Sequence, residues 1–104
     1  MREYTVSVYA MKHDDLFGGF ETDYMSSPII EHRYPDKQQA AYDFALLKEF
    51  PRELYHTAKA CGGKPVGYVA FLECVQDEDI CGYLDVETID STSYTTDDYM
   101  LEHN

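Results

Sequence analysis

After Lys64 the chain has no lysine and no arginine, and it has no tryptophan anywhere. From Pro65 to Asn104 stand ten Asp or Glu and no base, so −10 of the formal net charge of −12 sits at one end. A field of that sign repels polyanions, which argues against direct binding to DNA, RNA or an anionic membrane. Long apolar runs are missing too. Nothing approaches the roughly 20 consecutive apolar residues of a membrane-spanning helix. The first residues, MREYTVSVYAMKHDD, are too polar for a secretory leader.

Cysteine is scarce. Cys61, Cys74 and Cys81 are odd in number and form no CxxC pair, so neither a disulfide framework nor a zinc site is expected. A reduced, cytoplasmic protein is the natural expectation. The four histidines, His13, His32, His56 and His103, are scattered with no HxH or HxxxH spacing. His13-Asp14-Asp15 therefore reads as a polar turn rather than a metal or acid–base site. Asp77-Glu78-Asp79 lacks the twelve-position loop with its turn glycine and terminal Glu that calcium sites use. Gly62-Gly63-Lys64-Pro65 carries proline where a phosphate loop needs Ser or Thr. Cys61 has no base placed beside it by the sequence. We expect no catalytic residue, no metal and no cofactor, and hence a noncatalytic protein.

What is present is a chain of 104 residues, 44% apolar, with five Phe and ten Tyr. That length suits one domain, residues 1–104, with a single small core. No repeat, low-complexity tract or interdomain linker divides it. Glu3 to Met11 alternates, with Tyr4, Val6, Val8 and Ala10 against Thr5, Ser7 and Tyr9, as a half-buried strand does. Gly18-Gly19 marks a turn, and Phe20 to Met25 resumes a strand rhythm. The loop around Leu16, Phe17 and Phe20 is expected to close one end of the core. Ile29-Ile30 begins a short edge segment. Asp36 can cap a helix over Lys37–Phe50 with Ala40, Phe44 and Leu47 on one stripe, and Pro51 ends it.

Residues 53–60 fit either state. Alternation of Leu54, His56, Ala58 and Ala60 favours a strand, joined through the Gly62-Gly63 turn to a central strand over Val66–Val75. Gln76–Asp79 reads as a turn, and Cys81–Ile89 as the next strand. Residues Asp90 to Asn104 show little apolar periodicity, so the expectation is a segment crossing the surface or a mobile acidic tail over 91–104. The expected architecture is α+β, in the order β-β-α-β-β-β: a mostly antiparallel sheet of four to five strands with one helix packed on one face.

The acidic end carries the functional expectation. Asp85 and Glu87, two apart on a strand, point to one side about 6.8 Å apart. With Asp77, Glu78, Asp79, Asp90, Asp97 and Asp98 they would present a negative surface, to which Tyr83, Tyr94 and Tyr99 add rigid contact area. The expected partner is a basic protein surface, with a nucleic-acid-binding enzyme as the specific case and the chain acting as inhibitor or nucleic-acid mimic. Small acidic inhibitors from phages and mobile elements share this size and charge, but no motif here links the chain to any of them. The alternative is a structural or accessory domain, a homodimer or subunit, whose acidity serves solubility.

Overall fold

A computed structural model describes residues 2–62, 64–78 and 83–103. It is an α+β fold built from five strands and three helices among the described residues: β1 (Arg2–His13), β2 (Phe20–Thr22), β3 (Ile30–Tyr34), α1 (Lys37–Glu49), α2 (Pro51–Lys59), β4 (Gly67–Glu78), β5 (Tyr83–Thr95) and α3 (Thr96–His103). The sheet is antiparallel throughout. β1 pairs with β4 on one side, and β4 with β5. On its other side β1 pairs with β3 over Tyr4–Val8 and with β2 over Met11–His13, so two short strands share one edge. The β4–β5 register slips between Leu72 and Glu73, leaving an extra residue on β5. Such a bulge bends the strand and curls the sheet.

The β-β-α-β-β-β order with a single helix is thus corrected to β-β-β-α-α-β-β-α with three helices. Two stretches account for the difference. Residues 53–59 are helical because Pro51, which ends α1, also stands at the first turn of α2, where its fixed φ suits a helix and its missing N–H is not needed. Leu54, Tyr55 and Ala58 then fall on one buried stripe. His56 and Ala60, the other members of the alternating set, stay exposed. Residues 91–95 continue β5, and α3 follows. At the start of α3 the Asp98 carboxylate folds back on Thr95, half of a capping box. Asp98 Oδ2 accepts from the Thr95 backbone N–H at 2.8 Å and lies 3.2 Å from the Thr95 hydroxyl. Gln76–Glu78 extends β4 rather than turning. A helix, α2, and not a strand precedes β4, so no hairpin pairs residues 53–60 with it; Gly63 of the expected turn lies outside the described residues.

α1 meets the sequence reading. Asp36 accepts from the Gln38 N–H at 3.1 Å, and Ala40 and Phe44 are buried. The core lies between one face of the sheet and the helices. Val6 and Val8, Tyr68, Ala70 and Leu72, and Tyr94 supply the strand side; Ala40, Phe44, Leu54, Tyr55 and Ala58 supply the helix side. With a short axis of 20 Å, the molecule holds one sheet and one layer of helices. The opposite face of the sheet carries no helix in that core.

Candidate functional site

The acidic residues of the C-terminal forty do not share one fate. Asp85 and Glu87 are exposed on β5 and make no ion pair among the described residues. Their Cα partners on β4 are Gln76 and Cys74, which sets both on the side of the sheet that the helices cover further along. Glu87 shares a shallow hollow there with Arg2 and Lys37. Asp97 is exposed in the first turn of α3, where a negative charge complements the helix dipole. Asp90 is held by Lys48 at 2.7 Å, and that bond keeps its carboxyl below the usual carboxylate range. Asp98 is used in the cap of α3.

The tyrosines divide likewise. Tyr94 is buried in the core, and its hydroxyl donates to Glu102 at 2.6 Å. That bond, with burial, pushes its pKa up to about 12. Tyr99 is half-buried and stacks on Tyr55 at 4.9 Å, tying α3 to α2. Glu102 also meets Arg52 at 3.4 Å. Asp79 lies outside the described residues, as do the side chains of Asp77, Glu78 and Tyr83. Of the predicted residues that remain, Asp85 and Glu87 stand near the start of β5 and Asp97 follows its far end, so Asp85 and Glu87 form the acidic patch and Asp97 lies roughly 30 Å away along the strand.

A second feature was not legible in the pattern of charges. On the helix-free face, Thr5, Ser7 and Tyr9 of β1 stand between Glu31 and Arg33 of β3 and Phe71, Glu73 and Val75 of β4. The register sets Ser7 opposite Glu31 and Phe71, and Thr5 opposite Arg33 and Glu73. The loop after β2 brings Tyr24 over this face. An Asx turn holds that loop: Asp23 accepts from the Ser26 hydroxyl at 2.8 Å and from the Met25 N–H at 3.2 Å. Tyr24 lies edge-on to Tyr9, with ring centres 5.3 Å apart, and stacks with Phe71 at 6.4 Å. Together these side chains bound a groove of about 370 Å³, within the size range of small-ligand sites.

Three carboxylates, Glu3, Glu31 and Glu73, line that groove against one base, Arg33. Arg33 reaches Glu31 at 3.7 Å but is largely exposed, so solvent weakens the pair. Burial raises the Glu73 pKa above 4.5, and the Glu31 charge adds to it. Burial also raises the Tyr9 phenol, followed by the same two carboxylates. Ser7 is 2% exposed, and its hydroxyl makes no hydrogen bond. It favours the Glu73 carboxylate without a bond of proper geometry.

No family model, curated protein or solved structure matches the chain. Among the described residues no three His, Cys, Asp or Glu converge as a metal centre, and no helix is long and apolar enough to cross a membrane. Cys61 and Cys74 are both free thiols. Leu16 and Phe17, expected in the core, stand almost fully exposed at the tip of the β1–β2 loop. Asp14 accepts from both of their backbone N–H groups and turns the chain outward.

Proposed function

We propose that this protein is a noncatalytic binding domain whose acidic surface docks on a basic surface of a partner protein. One observation supports it above others. The chain has no base after Lys64, and within that stretch Asp85, Glu87 and Asp97 are exposed and make no ion pair among the described residues. Unneutralised exposed carboxylates contribute little to folding, and they steer a positively charged partner and raise its association rate. Nucleic-acid-binding enzymes carry strong positive surfaces. A protein of this charge occupying such a surface would compete with the nucleic acid and act as an inhibitor.

The test is a tagged pull-down from the native host at low and high salt, with the wild-type chain and with the Asp85→Asn/Glu87→Gln double variant. The expected result is a basic protein retained at low salt, released at high salt and lost with the double variant. Recovery of only a second copy, or retention indifferent to both salt and variant, would replace this reading with that of an accessory domain whose acidity keeps it soluble.

A further inference from the structure

We infer that the groove on the helix-free face receives one arginine side chain of the basic partner, its guanidinium between Glu31 and Glu73 and its plane against the rings of Tyr9, Tyr24 and Phe71. This rests on the reading of a basic partner given above, but it concerns the opposite face of the sheet. It accounts for features that the acidic strand β5 does not explain.

The strand geometry sets the scale. Glu31 and Glu73 flank β1 on its two sides, offset by one residue pair, opposite Ser7 and Thr5 respectively. Strand spacing and rise place their Cα atoms roughly 12 Å apart. Two glutamate side chains reaching inward from that distance leave room for one planar cation between them. The groove's lining charge, three carboxylates to one guanidinium, disfavours an anion. A divalent cation is disfavoured as well, because no three ligating groups converge among the described residues and the walls are aromatic.

Aromatic faces and carboxylates together suit guanidinium better than ammonium. It is planar, stacks on rings, presents five N–H donors in a fork, and sheds water more readily. Ser7, 2% exposed and on the same face as Thr5 and Tyr9, makes no hydrogen bond of proper geometry and favours the charged form of Glu73, the carboxylate that the guanidinium would meet. Tyr24 is 65% exposed, held on its loop by the Asp23 turn, and so stands as a wall open to a partner.

The experiment is a titration of the full chain with acetyl-Gly-Arg-Gly-amide, followed by the ring proton signals of Tyr9, Tyr24 and Phe71 in nuclear magnetic resonance. Matched peptides carry lysine or citrulline in place of arginine. The expected result is a saturable shift of those rings with arginine, a weaker one with lysine and none with citrulline. Glu31→Gln/Glu73→Gln should weaken arginine binding by roughly tenfold or more, since it removes both charge-assisted partners. Because burial already disfavours the Glu73 charge, that variant is expected to fold. Tyr24→Ala, altered only on an exposed loop, should also weaken binding, and it keeps the test open if the double variant misfolds.

Equal binding of citrulline and arginine would overturn the inference. So would ring signals that stay unmoved up to the solubility limit of the peptide, or shifts confined to Asp85 and Glu87. The pull-down reports on Asp85 and Glu87 and the titration on the groove, so failure of one does not imply failure of the other.

Discussion

Gly67 opens β4 with φ at +155°, a backbone conformation that side-chain-bearing residues rarely adopt. A Cβ there would run into the Tyr94 carbonyl and sit 2.6 Å from the Thr95 Cα. Both neighbours are backbone of β5 and cannot swing away. Gly67→Ala should therefore destabilise the fold by roughly 2–4 kcal/mol, read from the midpoint of urea unfolding. A midpoint unchanged from wild type would show that β5 can shift to make room.

The tyrosines give a second expectation at the same scale. Burial pushes the Tyr68 hydroxyl from 10.0 up to about 12, and burial aided by Asp43 does the same to Tyr34. A phenol whose pKa is higher folded than unfolded binds its proton more tightly in the folded state. The stability it contributes is complete below pH 10 and is lost as pH rises through about 12. Tyrosinate absorbance and far-ultraviolet circular dichroism, followed over that window, should show part of the ten tyrosines ionising only as the fold melts. If all ten ionised near pH 10 with helix and sheet signals intact, the burial of these rings would be wrong.

The elements show what a sequence pattern can convey. β1, α1 and the central part of β4 could be read directly, since alternation, an Asp cap and a two-sided apolar run each have one structural solution. Residues 53–60 could not, because Leu54, Ala58 and their neighbours fit both periods. The deciding signal was Pro51, which reads as a stop for one helix and equally as the start of the next. For α3 the signal was Thr95 with Asp98 three residues on, whose carboxylate takes up the Thr95 N–H, hidden within a run of acids that read as a tail. Asp98→Ala should loosen α3 at a cost of about 1 kcal/mol, in line with the loss of a cap. Hydrogen exchange at the Thr95 amide, which donates to Asp98, should quicken with it. Unchanged protection would show that the stacking of Tyr99 on Tyr55 holds the helix without its cap.

At the scale of the whole molecule, the charge was legible and its placement was not. Ten acids could be counted from the sequence, but not that Lys48 neutralises Asp90, that Asp98 faces a helix end, or that Tyr94 lies in the core. Nor could Glu31 and Glu73 be seen to face one groove. They stand more than forty residues apart, and only the pairing of β3 and β4 on either side of β1 brings them together. What remains is a thin sheet with helices on one side, exposed carboxylates on its β5 edge and at the start of α3, and an aromatic, carboxylate-lined groove on its bare face. The central claim is that exposed carboxylates on β5 guide a basic partner. Its most direct test is the association rate with the recovered partner, measured across ionic strengths for the wild-type chain and for Asp85→Asn/Glu87→Gln. The account predicts a rate that falls steeply as salt rises, with a lower and flatter dependence for the variant and a dissociation rate little changed. A rate indifferent to salt, and equal in the two chains, would contradict it.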